Sequence, residues 1–487
     1  MSQSAPIQTP IIIIGTGFGG IAMAVTLQKA GFDNFIMLEK ASTLGGTWRD
    51  NTYPGAECDI PSALYSYSFA PNPTWDFKWA KQPQILAYIN KVARDYGLVS
   101  HMRFEQGVVD ARYDNGRWAV TTTDGTSYDC QFLVSAVGQL HHPALPNIPG
   151  IDDFAGSSFH SAQWDHTVDL AGQDIGVIGN AASAVQFIPE IAKTAGHVTI
   201  YQRSANWVID KGDRPYTKLE KAVAGRLPWL AKLYRFGLWG LGEYVVWPVI
   251  KGAKMRAAIL RAKNRWDMGK HIKDPAMRAA LTPSYPMGAK RILFSDKYYE
   301  TLARDNVTLV TAPIKAVTSK GIKAGGDTTR DHDVIIYGTG FHTNPFLKGI
   351  AVMGEGGVAL HEVWADGARA YMGTMMAGFP NLFTLYGPNT NTGHTSIIFK
   401  LEAQAGYVVQ LMKAAVEGQV SVRASAADAF DTQTQERLAK LAWDKVDSSW
   451  YKDGTRLTNN WPGSSREFKR RTDKPVWADF MIVPKTQ

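Results

Sequence analysis

The stretch Ile11-Ile-Ile-Ile-Gly15-Thr-Gly17-Phe-Gly-Gly20 decides the fold, together with the helical pattern over residues 21–29 that follows it. Four consecutive isoleucines are typical of a parallel strand that is buried on both faces. Glycines at this spacing let the backbone approach a pyrophosphate, which the N-terminus of the following helix attracts. A second strand, residues 34–38, ends on Glu39, an acid in the position that binds ribose hydroxyls. Strand, turn, helix and acid together predict a dinucleotide-binding unit.

A second strand–turn–helix pattern begins at residues 175–178 and continues into Gly179-Asn-Ala181-Ala-Ser183-Ala. Ala181 replaces the middle glycine, which narrows the approach to a pyrophosphate but is tolerable. The next strand, residues 198–201, leads into Arg203 and Ser204 instead of an acid. A guanidinium and a hydroxyl suit a ribose 2′-phosphate, so this unit is predicted to bind NADP. A solvated arginine at a strand end is the alternative.

Glycine- and aromatic-rich motifs occupy the loops around these two units. Gly45-Gly46-Thr47-Trp48 and Tyr53-Pro-Gly-Ala-Glu-Cys-Asp59 follow the first unit, and Phe154-Ala-Gly156-Ser-Ser-Phe-His160-Ser-Ala-Gln-Trp164-Asp165 lies between the two. Such loops are often only surface turns. The first two follow a nucleotide-type strand, at the sheet edge where ligands bind, so we expect them to line a ligand site. The third stretch is placed to set how the two units face each other.

Composition and charge exclude several classes of protein. The formal net charge of +8 comes from dispersed basic residues, and a modest positive balance suits anionic dinucleotides, so no nucleic-acid partner is expected. The two cysteines, Cys58 and Cys130, provide neither a disulfide framework nor a zinc pattern, which fits a reducing compartment. The polar N-terminus has no signal-peptide pattern. We therefore expect a cytoplasmic protein.

A region of different composition interrupts the second unit at residues 211–285. Lys, Arg, Leu and Ala recur there at helical spacing, which predicts an inserted helical subdomain. Its most apolar run, residues 236–250, contains Glu243 and is too short to span a bilayer. This favours a buried or interfacial helix over membrane contact. The tryptophans of the region either pack in a core or line a substrate channel: Trp229, Trp239, Trp247 and Trp266.

With these motifs in place, the sequence resembles the type I Baeyer–Villiger monooxygenases, FAD- and NADPH-dependent relatives of the flavin-containing monooxygenases. The stretch between the units matches the family's FxGxxxHxxxW(P/D) fingerprint at Phe154, Gly156, His160, Trp164 and Asp165. The family's GGxW and YPGxxxD motifs match the two loops after the first unit. The two-nucleotide layout covers essentially the whole chain.

The resemblance implies an α/β fold with two Rossmann-like dinucleotide-binding domains and a helical insertion in the second. FAD is expected on the first domain, at residues 1–145, which the C-terminal part at 376–487 completes. NADPH is expected on the second domain, at 146–210 and 286–375. The helical subdomain at 211–285 separates the two parts of this NADP domain.

The resemblance also assigns roles to individual residues. Arg291, which follows Lys290 before a predicted helix, matches the family's key catalytic group, and Asp59 is expected to support it. Trp450 resembles the family's tryptophan that touches the nicotinamide cofactor. The predicted cofactor-binding residues are Gly15, Gly17, Gly20, Glu39, Gly46, Thr47, Trp48, Tyr53, Asp59, Gly179, Ala181, Ser183, Arg203, Ser204, Lys290, Gly340, Asn389 and Trp450.

An arginine suits the chemistry that the resemblance implies. NADPH would reduce FAD, and a flavin C4a-peroxide formed with O2 would attack a ketone to give an ester or lactone. A guanidinium keeps its proton and stabilises both the peroxyanion and the oxyanion on the attacked ketone. Asp59 would hold Arg291 in place and balance its charge. Without the motifs, the two residues would be unrelated surface charges.

Other functions remain open from the sequence. A related flavin monooxygenase that oxidises sulfur or nitrogen would carry the same domains, with a sulfide in place of the ketone. A disulfide reductase is disfavoured because no cysteine pair lies near the flavin loop, and a flavin-binding interaction protein is a non-enzymatic alternative. No metal site is expected, and His160 fits a hydrogen-bonded hinge element better than an acid or base. The identity of the ketone and the oligomeric state stay open.

Overall fold

A computed structural model describes residues 5–344, 346–447 and 449–484. The strands are β1 (Ile7–Ile14), β2 (Ile36–Leu38), β3 (Met102–Arg103), β4 (Val108–Asp114), β5 (Arg117–Thr122), β6 (Ser127–Ser135), β7 (Ser157–His160), β8 (Asp174–Ile178), β9 (His197–Tyr201), β10 (Val208–Ile209), β11 (Leu293–Phe294), β12 (Val307–Val310), β13 (Ile314–Thr318), β14 (Gly321–Ala324), β15 (Thr329–Asp331), β16 (Val334–Tyr337), β17 (Ala351–Met353), β18 (Leu382–Thr384), β19 (Gly418–Val422), β20 (Lys452–Asp453), β21 (Arg456–Leu457) and β22 (Phe480–Pro484).

The α-helices follow individual strands in the nucleotide units and occur in an unbroken series over residues 218–280 in the inserted region. They are α1 (Phe18–Lys29), α2 (Thr47–Asp50), α3 (Gln82–Asp95), α4 (Ala182–Ile191), α5 (Lys218–Arg226), α6 (Pro228–Leu241), α7 (Trp247–Ile250), α8 (Lys254–His271), α9 (Pro275–Ala280), α10 (Tyr298–Leu302), α11 (Leu360–Val363), α12 (Ile397–Ala414), α13 (Ala424–Leu438) and α14 (Ser465–Thr472). A π-helical turn, Gly242–Val246, joins α6 to α7.

The first sheet is built around β1, in the order β17-β4-β5-β6-β1-β2-β3, with β18 also paired to β6. β1 runs parallel to β2 and β6, so the glycine turn that follows it lies at the carboxyl edge of these strands. Ile11 and Ile13 pack into one core cluster with α1 and α12, and Ile12 and Ile14 pack into another on the opposite face. Each buried isoleucine contributes about 1.5–3 kcal/mol to folding, which explains the unbroken apolar run.

The second sheet has the order β12-β9-β8-β16-β7 and is wholly parallel. α4 follows β8 as α1 follows β1, so both predicted strand–turn–helix units are present. Residues 157–160, within the stretch expected to connect the two units, form the edge strand β7 and pair with β16. Part of that stretch therefore belongs to the second sheet itself.

One expectation about the chain's organisation needs correction. β17 pairs in parallel with β4, so residues 351–353 belong to the first sheet, although they lie within the segment 286–375 predicted for the NADP domain. A strand of three residues is too short to show a pattern from which its partner strand could be inferred. For the apolar run 236–250, expected to form a buried or interfacial helix, the part within α6 has no buried residue. Only the later part, including Trp247, enters a core.

The tryptophans of the inserted region divide in the same way. Trp229 and Trp266 are exposed, whereas Trp247 packs against Trp443 with ring centroids 6.1 Å apart. Trp239 lies between these extremes and contacts Phe399 at the N-terminal end of α12. Within the described ranges, no helix has the length and apolar character needed to cross a bilayer.

Candidate active site

A cavity of about 1310 Å³ lies where the carboxyl edges of the two sheets meet. Both glycine turns line it, at Gly15 and at Gly179, and so do the loops that carry the GGxW and YPGxxxD motifs. Ligands of open α/β sheets bind at this edge of the strands. The cavity is therefore the place where two dinucleotides and a substrate can meet.

The first glycine turn has no room for side chains. Gly15 has φ +100°, and a Cβ there would lie 2.7 Å from the carbonyl oxygen of Ala136. A Cβ on Gly46 would lie 3.2 Å from the Cα of Gly17. Gly17 is the N-cap of α1, which has no side-chain cap and no acid in its first turn. The first N–H groups of α1 are thus left for an anionic ligand.

Glu39 is held in a fixed orientation in the cavity wall. One carboxylate oxygen accepts from the backbone N–H and the hydroxyl of Thr16, at 3.0 and 2.7 Å. The other accepts from the backbone N–H of Ala41 and from Arg49, at 3.1 and 3.0 Å. Four donors compensate the burial of this charge. The carboxylate is therefore preorganised at the position where the fingerprint places a ribose contact.

The second turn repeats the geometry of the first. Gly179 also has φ +100°, and a Cβ there would lie 2.6 Å from the carbonyl oxygen of Gly338. Ala181 is the N-cap of α4 and, like the cap of α1, makes no side-chain cap hydrogen bond. Ser183 and Gly340 line the same wall. The N-terminus of α4 is a second anion-binding position.

Arg203 and Lys290 form a positively charged wall beyond the end of β9. Both line the cavity, and neither forms an ion pair with any described residue. Burial lowers the pKa of Lys290, and the nearby positive charge of Arg203 lowers it further. Two neighbouring cations without a counter-ion suit a phosphate group. Ser204 lies on the same wall and offers a hydroxyl.

The YPGxxxD loop packs directly on α4 of the second unit. The Tyr53 hydroxyl donates to Oε1 of Gln186 at 2.9 Å, and the same oxygen accepts from the backbone N–H of Glu57 at 3.2 Å. Gly55 has φ +79°, and a Cβ there would lie 2.7 Å from the carbonyl oxygen of Gln186. This loop joins the two nucleotide units and ends at Asp59.

Asp59 and Arg291 form a bidentate pair in the cavity. Nη2 of Arg291 lies 2.6 Å from Oδ1 of Asp59, and Nε lies 2.6 Å from Oδ2. The side chain of Arg291 is 29% exposed and that of Asp59 is 20% exposed, so the pair is largely shielded but faces the cavity. Burial alone would lower the pKa of Arg291, but the charge and hydrogen bonds of Asp59 outweigh it and raise the pKa above its ordinary value. Arg291 is a permanent, oriented cation.

Aromatic and amide side chains line the cavity together with this pair. The Tyr386 hydroxyl donates to Oδ1 of Asn391 at 2.8 Å, and both residues line the cavity. Trp450 also lines it, and its carbonyl oxygen accepts from the Thr343 hydroxyl at 2.6 Å. Apolar rings beside one fixed cation make a site for an uncharged substrate with a polarisable oxygen.

The fingerprint stretch between the units does not line the cavity. A Cβ on Gly156 would lie 2.5 Å from the carbonyl oxygen of Asp333, so this position requires glycine. His160 is buried, and its Nδ1 accepts from the backbone N–H of Ala162 at 3.0 Å. The centroid of the His160 imidazole lies 5.8 Å from the centroid of the Phe341 phenyl ring, and Phe341 does line the cavity. His160 thus lies next to two residues that line the cavity, Phe341 and the backbone of Gly340.

The rest of the stretch stabilises the second unit. The Trp164 ring packs against Phe187 of α4 at 5.3 Å between centroids. Asp165 accepts from the backbone N–H and the hydroxyl of Thr167, at 2.9 and 2.6 Å, in a local turn. Phe154 packs against a core cluster of the second sheet. These contacts hold β7 against α4. The loop that carries Tyr53 packs on the same helix, α4.

Two residues predicted to bind a cofactor lie outside the cavity lining. Asn389 donates to the carbonyl oxygens of Leu457 and Asn460, at 2.8 and 3.2 Å, and so holds the C-terminal loop. Gly20 supports the first turn from behind, since a Cβ there would overlap the carbonyl oxygen of Gly15. The other predicted residues line the cavity: Gly15, Gly17, Glu39, Gly46, Thr47, Trp48, Tyr53, Asp59, Gly179, Ala181, Ser183, Arg203, Ser204, Lys290, Gly340 and Trp450.

Several residues that build the site have no motif of their own. Thr16 and Arg49 position Glu39, and their places inside the glycine turn and beside the GGxW motif are a usable signal. Gln186 and Tyr386 have no such signal, because a polar residue on a helix and a tyrosine at a strand end are common on any surface.

The sequence is similar to those of known oxidoreductases. Residues 12–232 match the family model described as pyridine nucleotide-disulphide oxidoreductase. The chain is 40% identical over 481 residues to a Baeyer-Villiger monooxygenase of Streptomyces coelicolor, covering 97% of this chain and 92% of the relative. It is 39% identical over 471 residues to a Baeyer-Villiger monooxygenase of Pseudomonas aeruginosa, covering 95% of this chain and 89% of the relative.

Solved structures show the same architecture. An oxidized steroid monooxygenase bound to NADP superposes with a TM-score of 0.87 at 29% identity, covering 98% of this chain and all of that one. A closed cyclohexanone monooxygenase gives a TM-score of 0.87 at 25% identity, covering 99% of this chain and all of the other. The match extends over both sheets and the inserted helices.

Proposed function

The chain belongs to the Baeyer–Villiger monooxygenases, and we propose that Arg291 and Asp59 carry out its chemistry. The enzyme inserts one oxygen atom from O2 beside a ketone carbonyl to give an ester or lactone, with FAD and NADPH as cofactors. The bidentate ion pair on the cavity wall is the observation that carries the proposed residue roles.

The residues present fit both cofactors. α1 and α4 each begin without a side-chain cap and without an acid in the first turn, so each leaves N–H groups for a pyrophosphate. Glu39 suits the ribose of FAD, whereas Arg203 and Lys290 suit the 2′-phosphate of NADPH. When bound, NADPH supplies a hydride and the reduced flavin activates O2.

Arg291 stabilises negative charge where it develops during the reaction. Its raised pKa keeps the guanidinium fully protonated, so it gives no proton to an anionic oxygen nucleophile. The same cation stabilises the oxyanion that forms when the ketone carbonyl is attacked. Fixed charges in a shielded site act more strongly than charges in water and need no reorganisation during the step.

Asp59 orients Arg291. A bidentate carboxylate fixes the plane of the guanidinium and compensates part of its burial. Since Asp59 ends the loop that packs on α4, its position depends on contact between the two nucleotide units. We infer that this loop couples NADPH binding to the orientation of Arg291.

Product analysis with the purified flavoprotein tests this function. Ketones and sulfides are incubated with NADPH and air, and esters or lactones are expected from the ketones. The Arg291→Ala variant is expected to oxidise NADPH without forming ester. Arg112→Ala is the matched control, because Arg112 pairs with Asp110 on the exposed surface. Sulfoxides as the sole products of the parent enzyme, or ester formation by Arg291→Ala, would contradict the proposal.

A further inference from the structure

No short run concentrates the basic residues, but over a longer stretch they are densest in one segment of the helical insertion, and the net positive charge of the chain lies there. Residues 216–266 contain eleven Lys and Arg but only Glu220 and Glu243 as acids, a net charge of +9. The whole chain has a net charge of +8, so the remaining residues together carry −1. Eight of the eleven basic side chains, among them Lys218, Arg226 and Lys232, are exposed and form no ion pair with a described residue.

An apolar stripe runs along the same segment. Trp229, Leu233 and Phe236 lie on one face of α6 at spacings of four and three residues, and they are 62%, 60% and 62% exposed. Leu241 and Tyr244 extend the exposed apolar residues into the π-helical turn, at 58% and 59%. Single exposed apolar residues are ordinary, but a contiguous apolar patch marks an interaction site.

The stripe is carried by a firmly anchored segment. Arg235, on the same helix, donates to the carbonyl oxygen of Ala63 at 2.7 Å. Glu243, between the last two apolar residues of the stripe, is buried against His394 at 3.1 Å. Gly242 packs so closely on the carbonyl of His394 that a Cβ would overlap it. The inner side of the segment is therefore fixed, and its outer side presents the apolar residues.

We propose that this face docks on an anionic lipid surface. Bulky apolar and aromatic side chains on one helical face, flanked by Lys and Arg, are the features of helices that lie in the membrane interface. The basic residues attract anionic headgroups, and the apolar stripe enters the acyl boundary. The described residues include no spanning helix, so the attachment lies in the membrane plane.

A second copy of the chain fits this face poorly. A two-fold interface places the same patch against itself. The eight exposed basic side chains without ion pairs would then approach those of the other copy, and the Coulomb repulsion would oppose burial of the stripe. An anionic partner removes this repulsion, and a lipid bilayer supplies both negative headgroups and an apolar layer.

Vesicle co-sedimentation of the full-length holoenzyme tests the proposal. Vesicles of phosphatidylcholine with added phosphatidylserine should bind the enzyme at least about tenfold more tightly than phosphatidylcholine alone, and high salt should remove the difference. The triple change Trp229→Ser, Leu233→Ser and Phe236→Ser should weaken binding about tenfold or more. Lys218→Glu, Arg226→Glu and Lys232→Glu together should abolish the preference for the anionic lipid.

A matched triple variant controls for loss of exposed apolar area elsewhere. Trp477, Ile482 and Val483 are exposed near the C-terminus, and their replacement by serine should leave vesicle binding unchanged. FAD content and ketone oxidation without vesicles should be the same in all variants, since none of these residues lines the cavity.

Two results would overturn the proposal. One is wild-type binding that does not depend on phosphatidylserine or on the three apolar residues of α6. The other is a dimer without lipid affinity that the Trp229, Leu233 and Phe236 replacements convert to a monomer, which would assign the face to a second copy.

Discussion

Arg291 and Asp59 are 232 residues apart in the chain, yet two guanidinium nitrogens meet both carboxylate oxygens at 2.6 Å. Asp59 ends a loop of the first unit that is bound to α4 of the second, and Arg291 follows the helical insertion. The pair therefore forms only when three parts of the chain are assembled. A catalytic cation held in this way is sensitive to how the two nucleotide units pack.

Removing the negative charge of Asp59 should uncouple NADPH use from oxygenation. In Asp59→Asn, the amide cannot accept two charge-assisted hydrogen bonds from Arg291. The interaction that orients Arg291 should weaken by roughly 1.5–3 kcal/mol, which corresponds to a decrease of about 10- to 100-fold in the rate of ester formation. NADPH oxidation should continue, with hydrogen peroxide replacing ester. The ratio of ester to NADPH consumed measures this.

The conservative Arg291→Lys variant separates charge from geometry. Lysine keeps the positive charge but cannot form the bidentate pair with Asp59, so the variant should also lose most of its ester formation.

Asp110→Asn is the control for Asp59→Asn, because it changes an arginine–aspartate pair on the surface and should have no effect on ester formation. Normal ester yield in Asp59→Asn would show that the pair does not orient the catalytic cation.

Arg203 should determine the choice between NADPH and NADH. Arg203→Ala removes one charged contact to the 2′-phosphate, so KM for NADPH should rise about 10- to 100-fold while KM for NADH changes little. Steady-state kinetics with both cofactors measure this. Equal use of NADH and NADPH by the parent enzyme would show that the wall formed by Arg203 and Lys290 does not recognise a phosphate.

Gly55 should be required for contact between the two units. An alanine there would adopt φ +79° and place its Cβ 2.7 Å from the Gln186 carbonyl oxygen. The Gly55→Ala variant should lose about 1–3 kcal/mol of stability, by strain and overpacking, and should also form less ester. Gly97→Ala is the control, because φ is +65° but nothing lies within 4 Å of the new Cβ. Equal thermal shifts in the two variants would show that φ strain alone accounts for the effect.

Local signals in the sequence predicted the two strand–turn–helix units. The isoleucine run and the following glycines need only short-range patterns, because a buried parallel strand and a tight turn each impose residue types on adjacent positions. The Arg291–Asp59 pair followed from family motifs, since no local pattern connects residues so distant in sequence. The structure places both side chains together in the cavity.

Contacts between distant segments carried no such signal. The pairing of β17 with β4 rests on three residues, and the role of Gln186 depends on which helix face meets the Tyr53 loop. The apolar residues on the exposed face of α6 recur with the same helical periodicity as those of a buried face. The pattern alone therefore does not predict whether such a face contacts a protein core, lipid or solvent.

The buried contact between Glu243 and His394 gives the insertion a pH-dependent attachment. Burial would raise the pKa of Glu243, but the hydrogen bonds and charge of His394 and the hydrogen bonds of Ser465 outweigh it and lower the pKa. Burial lowers the pKa of His394 below 6.5, against the opposing effect of Glu243, and the neighbouring Lys400 lowers it further. Thr392 also faces the imidazole, with its hydroxyl 3.3 Å from Nδ1.

The enzyme should therefore lose stability on acidification partly through His394. Below pH 6.5, the unfolded chain binds a proton at His394 that the folded chain resists, so this group lowers the free energy of unfolding by up to about 1.4 kcal/mol at pH 5.5. His394→Gln keeps a donor for Glu243 but does not titrate, so its melting temperature should fall less between pH 7.5 and 5.5. Replacing the exposed His361 by glutamine should leave the wild-type pH dependence intact. Parallel melting curves for wild type and His394→Gln across this range would contradict the attachment, because they would show that folded and unfolded His394 bind protons equally.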